Sequence, residues 1–409
     1  MNILFVHQNF PGQFKHLAPA LAAAAPHRVA ALTLRKDLPT MDGRIQVARY
    51  AIARGNAKGL HPWVIDLETK VIRGEAALRA GLALKAKGYE PDVIVAHPGW
   101  GESLFLKEVW PQARLGLYCE FFYGAPGTDT GFDPEFVPAS SPEADARLRV
   151  KNVNNLMHFE IADGGLSPTH WQRSTFPDRF KQRISVAHDG VDTDALTPNP
   201  AATFTLPNGS VLKHGDEVVT FVNRNIEPYR GCHVFFRSLP ALMAQRPNAQ
   251  FVVVGADGVS YGPAAPDGKT WKQIFLAEIE GRFDPSRLHF VGSLPYAPFI
   301  ALLQVARVHV YLTYPFVLSW SLLEAMSVGA AIVASDTPPV LEVIDHDREG
   351  RLVNFFDQGA LVQAVTELLD NPAARARLGA AARQRVVAHY DLRRICLPQQ
   401  LKWVGSLGE

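Results

Sequence analysis

Residues Val308 to Ile344 read VHVYLTYPFVLSWSLLEAMSVGAAIVASDTPPVLEVI. A short β-branched and apolar run, Val308–Leu312, leads through a loop to Ser321-Leu322-Leu323-Glu324, whose spacing has the form of a capping box opening a helix. Gly329 stands where a helix C-terminus favours a left-handed residue. Ala331–Ala334 is a second apolar run, closed by Ser335-Asp336. Strand, helix and strand in so few residues make a βαβ unit. Such a unit places its helix N-terminus at the carboxyl edge of a parallel sheet, where unpaired backbone N–H groups favour an anion. The stretch therefore predicts a phosphate site in an α/β domain.

The same alternation runs along the chain. Asn2–Val6 reads as a strand and His7–Phe14 as a turn containing Gly12, with a helix following to about Ala25. Val29–Thr33 and Ile45–Ala48 read as strands, and Thr69–Lys87 as a helix closed by Gly88. Pro91–His97 reads as a strand ending in a histidine, at the edge where α/β folds place ligands. Leu115–Phe122 is the next strand, with Glu120 positioned to line a cleft. Tyr123–Pro142 is a Gly- and Pro-rich loop longer than compact domains favour, which suggests acceptor binding. Its Asp129, Asp133 and Glu135 read as solvated carboxylates, and Asp129 joins Glu120 as a candidate acceptor contact. Gly165–Thr175 is a strand-to-helix turn and Ile184–Val186 a last strand. Pro198–Asn208, with three prolines, reads as a linker. Beyond it come the strand Val218–Val222, the turn Asn223–Gly231, the helix Cys232–Arg246 and the strands Phe251–Gly255 and His289–Val291. Helices over Gly359–Asp370, Pro372–Tyr390 and Leu392–Leu407 complete the chain.

A chain of 409 residues exceeds one ordinary core, so two domains are expected. Its apolar fraction of 47% and charged fraction of 20% are those of a globular protein. A net charge of +1 argues against a nucleic-acid binder. Cys119, Cys232 and Cys396 form neither a zinc pattern nor a disulfide framework, which points to a reducing cytoplasm. The start MNILFV is a strand with no basic leader, and no apolar run reaches the roughly 20 residues that span a bilayer. Between Arg28 and Lys87 twelve Lys or Arg face five Asp or Glu. That excess reads as solvated helix faces or as a surface for anionic lipid or an anionic acceptor.

Together these motifs resemble the family-4 retaining glycosyltransferases. The similarity lies in L-L-E-A-M-x-x-G at Leu322–Gly329, V-A-S-D at Val333–Asp336 and Glu342-Val343-Ile344. Asn223–Gly231 is the turn that the family writes as G-R-x-x-x-x-K-G; Arg224 matches the arginine and Arg230 replaces the lysine. The resemblance implies that Arg224 and Arg230 grip a pyrophosphate, which suits two guanidiniums that each bind two oxygens. It implies that His97, in the family's D-V-I-x-x-H strand, reaches the donor sugar, and that Gly12 lies by the donor phosphates. Gly292, Ser293 and Leu294 would bracket the base through backbone groups. Phe316, Val317, Leu318 and Ser319 would line the donor, and Glu324 would hold the ribose hydroxyls. His188–Asp192 matches the family's N-G-V-D segment at the domain junction.

The implied fold is α/β with the GT-B architecture, two Rossmann-like domains facing each other across a cleft. They would span 1–193 and 194–386, with a C-terminal helix within 387–409 crossing back to the first. The implied activity is metal-free, cofactor-free transfer of a hexose from a nucleoside diphosphate sugar, with retention, to a glycan or lipid-linked acceptor in cell-surface polysaccharide synthesis. That places the protein in the cytoplasm, or peripherally at the inner face of the membrane. One position departs from the pattern. The family's first glutamate lies eight residues before the second, and Phe316 stands there.

Two near-motifs are set aside. Gly262–Thr270 has one residue too many for a phosphate loop, and prolines where N–H groups are needed. Asp192-Thr193-Asp194 has a metal-binding D-x-D form but lies beside the linker. A nucleotide-sugar epimerase or a phosphorylase would use the same fold without needing an acceptor, and a nucleotide-sugar sensor would bind without turnover. A dehydrogenase is disfavoured by the missing G-x-G-x-x-G.

Overall fold

Ile3-Leu4-Phe5-Val6 and Val93-Ile94-Val95-Ala96 bury every side chain, as strands do when both faces of a parallel sheet are covered. The computed structural model describes residues 1–39, 42–124, 127–136 and 141–409. The chain divides into two units. One comprises Met1–Gly131, Pro138–Gly190 and Arg393–Glu409, and the other Phe132–Val137 and Val191–Leu392.

The first unit holds β1 (Asn2–Val6), β2 (Arg28–Thr33), β3 (Ile45–Arg49), β4 (Val93–Ala96), β5 (Arg114–Tyr118), β6 (Gly164–Ser167) and β7 (Ile184–Val186). They form one sheet in the order β3-β2-β1-β4-β5-β6-β7, every pairing parallel. Alternate residues feed two cores. Leu4, Val6, Leu32 and Ile94 enter one; Ile3, Phe5, Ala31 and Val95 enter the other. The helix Leu397–Leu407 brings Trp403, Val404 and Leu407 into the second core. Gly116 on β5 makes room for it, since a Cβ there would lie 2.9 Å from Trp403 and closer still to Leu407.

The second unit opens with an antiparallel hairpin of β8 (Thr203–Thr205) and β9 (Val211–Lys213). The linker expected at Pro198–Asn208 is thus corrected. Phe204, Leu206 and Leu212 are buried in a core with Val218 and Val252, so the apolar residues between the prolines outweigh the turn signal. The main sheet comprises β10 (Val218–Asn225), β11 (Gln250–Ala256), β12 (Leu288–Phe290), β13 (Val308–Tyr311), β14 (Ala331–Ser335) and β15 (Arg351–Val353). Its order is β12-β11-β10-β13-β14-β15, all parallel.

Other expectations shift in detail. The turn expected over His7–Phe14 ends in a short 3-10 turn, Gly12–Phe14, and the helix after it runs Leu17–Ala23, short of Ala25. The strand expected to reach Phe122 ends at Tyr118, so Glu120 lies just past the ladder. The three cysteines are buried free thiols. Among the described residues no helix is long and apolar enough to cross a membrane. All five carboxylates of the basic stretch Arg28–Lys87 face a base within it: Asp37 with Arg35, Asp42 with Arg44, Asp66 with Lys70, Glu68 with Arg54 and Glu75 with Arg79.

Packing in the second unit yields a stability test. The helix Pro372–His389 crosses so close to Gly329 that a Cβ on Gly379 would overlap the Gly329 carbonyl oxygen. Backbone cannot move aside as a side chain does, so Gly379→Ala is expected to cost roughly 2–3 kcal/mol. Gly405, also helical, has nothing within 4 Å of a built Cβ, and Gly405→Ala should stabilise by roughly 0.5–1 kcal/mol. Thermal unfolding of the two variants checks the pair; equal melting temperatures would contradict the packing.

Candidate functional site

Strand order reverses beside β10 in the second sheet, between β10 and β13, and open parallel sheets bind ligands at such a point. Two loops emerge there, the turn Ile226–Gly231 after β10 and the loop Leu312–Ser319 after β13. Gly231 adopts φ +68°, and a Cβ on it would lie 2.5 Å from the Leu312 Cβ. Only glycine lets the turn pass beneath the loop.

That turn aims Arg230 inward, where it is 5% exposed. Its Nη1 donates to the Tyr311 hydroxyl (3.1 Å), the Thr313 hydroxyl (2.8 Å) and the Val317 carbonyl (2.9 Å). The guanidinium also lies 5.3 Å from the centre of the Tyr261 ring. Burial works against the cation, but the oxygens of Tyr311, Tyr261 and Glu227 outweigh it and raise its pKa above the ordinary value. Among the described residues Arg230 makes no ion pair. Glu227 is fully buried and accepts from the backbone N–H groups of Ser260 (3.1 Å), Tyr261 (3.1 Å) and Gly262 (3.0 Å). The segment leading into the phosphate-loop look-alike, with that motif's first glycine, thus holds a carboxylate of the chain itself.

The helix of the opening motif is Trp320–Ser327, and Ser319 is its N-cap, accepting from the Ser321 N–H. The expected capping box from Ser321 to Glu324 is corrected, because Ser319 takes the capping role two residues earlier and the Ser-Leu-Leu-Glu spacing falls inside the helix. Glu324 is 8% exposed and accepts from the Tyr296 hydroxyl at 2.9 Å. Phe316 is buried against Tyr229 and Tyr261, with ring centres 5.5 and 5.0 Å away. Leu318 is buried too, while the Val317 carbonyl and the Ser319 N–H engage Arg230 and Tyr311. Arg224, near the end of β10, is exposed. Gly292 adopts φ +61° after β12, followed by exposed Ser293 and half-buried Leu294.

The reading of Asp129, Asp133 and Glu135 as solvated is corrected for the first two, which are buried. Asp133 lies 3.0 Å from His233 Nε2 and accepts from the Tyr314 hydroxyl at 2.9 Å. Glu135 is exposed but pairs with Arg237 at 2.6 Å. These contacts and the rings of Phe132 and Phe136 hold the segment to the second unit. Asp133, Glu135 and His233 lie close enough together to hold a metal ion, but His233 is committed to Asp133 and Glu135 to Arg237.

In the first sheet the order reverses between β1 and β4. The turn after β1 carries His7, Gly12 and Gln13, and the segment after β4 carries His97, Gly99 and Trp100. The His7 Nδ1 accepts from the Asn9 N–H (3.0 Å), so its Nε2 holds the proton and donates to Gln13 Oε1 (2.8 Å). The Gln13 amide donates to Glu120 Oε1 (3.1 Å). The His97 Nδ1 accepts from the Gly99 N–H (3.1 Å), which turns its Nε2–H toward Glu120 Oε2 at 3.5 Å. His97 is stacked between Trp100 and Tyr118. Gly12 is required by its φ of +49° and by the His7 ring, which a Cβ would overlap. Burial favours a raised pKa for Glu120, but the nearby His97 ring and the hydrogen bond from Gln13 prevail and hold it below the usual range.

Sequence reasoning missed Tyr311 and Thr313, which lie inside its own opening motif, and Gln13, one residue past Gly12. For Tyr261, Tyr296 and Glu227 no local signal existed.

Residues 25–196 match the family described as "Glycosyl transferase family 4 group", and residues 204–385 match "Glycosyl transferases group 1". Together the two matches span most of the chain, which is a glycosyltransferase similar to family 4. The transferase is 24% identical over 413 residues to glycogen synthase of Mycobacterium tuberculosis, covering 96% of this chain and 91% of the relative. It is 25% identical over 260 residues to the GDP-mannose-dependent alpha-(1-6)-phosphatidylinositol monomannoside mannosyltransferase of Mycolicibacterium smegmatis, covering 61% and 62%. Among solved structures it is similar to sucrose-phosphate synthase from Thermosynechococcus elongatus, at TM-score 0.70 and 19% identity over 99% of each chain. HepE of Anabaena in complex with UDP-glucose matches at TM-score 0.65 and 15% identity, over 99% of each chain. These likenesses identify the fold as GT-B.

Proposed function

We propose that the transferase moves a hexose from a nucleoside diphosphate sugar to a hydroxyl of a glycan or lipid-linked acceptor, with retention and without a metal. The acceptor is a growing cell-surface polysaccharide, reached from the cytoplasm or from the inner face of the membrane. The observation that carries the donor reading is Arg230. A buried cation that makes no ion pair among the described residues, and is helped by Glu227 only through space, still favours a direct counter-charge. A diphosphate at the carboxyl edge supplies it, and the same cation neutralises charge developing on the leaving group. Transfer then rests on positioning and electrostatics. Turnover of UDP-glucose or GDP-mannose that survives EDTA supports the reading, and a strict requirement for manganese or magnesium would sink its metal-free part.

Glu324 is assigned to the ribose hydroxyls. Because it closes no capping box, Glu324→Gln should leave the melting temperature unshifted, its amide oxygen still accepting from Tyr296. An amide offers one acceptor oxygen where a carboxylate offers two, so donor affinity or turnover should fall clearly. A lowered melting temperature with unchanged donor affinity would return Glu324 to a purely structural role.

A further inference from the structure

We propose that Glu120 binds the attacking hydroxyl of the acceptor, and that His97, beside it, helps to position that carboxylate. The proposal rests on the transferase reading above and assigns the group that receives the acceptor. Two side chains approach this carboxylate at the edge where β1 and β4 diverge, and a third holds its backbone. Gln13 donates to one oxygen and the His97 Nε2–H faces the other, while the Gln172 amide donates to the Glu120 main-chain carbonyl at 2.8 Å. The proton directions are set by backbone, because the Asn9 and Gly99 N–H groups fix which nitrogens of His7 and His97 accept. The His7 proton is therefore committed to Gln13, and the His97 proton faces Glu120.

Exposure separates the roles. His7 and His97 are 2% and 3% exposed, whereas the Glu120 side chain is 35% exposed. A solute reaches the carboxylate and not the rings. A carboxylate oxygen has more than one acceptor site, so each oxygen keeps capacity after its protein donor is counted. An ionised, acceptor-only group repels a diphosphate and suits a neutral donor such as a sugar or polyol hydroxyl. With one oxygen held by Gln13 and its backbone held by Gln172, it presents that hydroxyl in one place, which is the positioning that transfer needs.

The test uses the full chain, UDP-glucose and GDP-mannose as donors, and D-glucose, myo-inositol and glycerol in excess as acceptors. Loss of a charge-assisted hydrogen bond predicts that Glu120→Gln lowers kcat/KM for the acceptor by about 10- to 150-fold. The affinity for UDP and the melting temperature should stay unchanged. Formate should restore part of the rate of Glu120→Ala, and Glu120→Asp should retain more rate than the Gln variant if the latter folds poorly. His97→Asn added to Glu120→Gln should cost nothing further, since it acts through a group already lost. Transfer by Glu120→Gln at the normal rate overturns the proposal, as does an equal loss of UDP affinity or a His97 effect that simply adds. A wild-type chain that turns over neither donor overturns the transferase reading and this one with it.

Discussion

Acidification from about pH 7 to about pH 5 is expected to loosen the first unit before the second. Burial pushes His158 and His188 down to about 4 and, with His97 alongside, His7 down to about 3. All three lie in the first unit, whereas the second has His309, also pushed down to about 3 by burial. A histidine whose folded pKa lies below its unfolded value stabilises fully above the unfolded value, near 6.5, and loses that contribution as pH falls toward the folded value. In this window the unfolded chain binds more protons, so stability falls with pH. Each such histidine gives up roughly 2 kcal/mol by about pH 5, and three of them approach the whole stability of an ordinary domain.

Glu102 runs the other way. It is fully buried and burial raises its pKa, so its protonation favours the folded first unit and offsets part of the loss. The geometry supports the sign for His158, whose Nδ1 faces the Asn154 carbonyl while Nε2 faces the Ser103 hydroxyl, both at 2.8 Å. A second proton would force that hydroxyl to turn around. Hydrogen exchange resolved by peptide should show β1 and β4 losing protection at about pH 5 while β10 and β13 keep it. Equal protection at the two pH values would show that these rings are not held neutral.

Arg230→Ala should weaken the binding of UDP or GDP by about 10- to 150-fold, the worth of a charge-assisted hydrogen bond of roughly 1.5–3 kcal/mol. The free protein should respond far less. The variant gives up hydrogen bonds to Tyr311, Thr313 and Val317, but it also removes a buried cation with no ion pair among the described residues, and the two effects oppose each other. The signature is thus a small change in melting temperature together with a much smaller rise when UDP is added. Calorimetric titration gives the affinity directly. An unchanged dissociation constant in a folded variant would remove Arg230 from the donor site.

Local signals were sufficient for the α/β alternation and for the strand-helix-strand order of the opening motif. β-branched runs, a left-handed glycine at Gly329 (φ +78°) and the Arg230-Gly231 turn each act within a few residues of themselves. They carry through to β13, β14 and the buried guanidinium because a parallel strand buried on both faces has no other use for such a run. The first glutamate's replacement by Phe316 was also plain in the sequence, but where that ring goes was not. Its packing against Tyr229 and Tyr261 joins three loops.

Tertiary structure alone decided the rest. The capping box failed because Ser319, not Ser321, leaves the helical backbone (φ −79°, ψ 142°), which the loop from β13 dictates. Asp133 looked solvated until the fold brought His233 and Tyr314 to it, one hundred and more residues away. The chain from His7 through Gln13 to Glu120 joins turns after β1 and β5, and Glu227 finds its partners in the backbone of Ser260, Tyr261 and Gly262. A hydrogen bond between residues distant in sequence depends on sheet order, and sheet order follows from burying many apolar faces at once. No short stretch of residues contains that information.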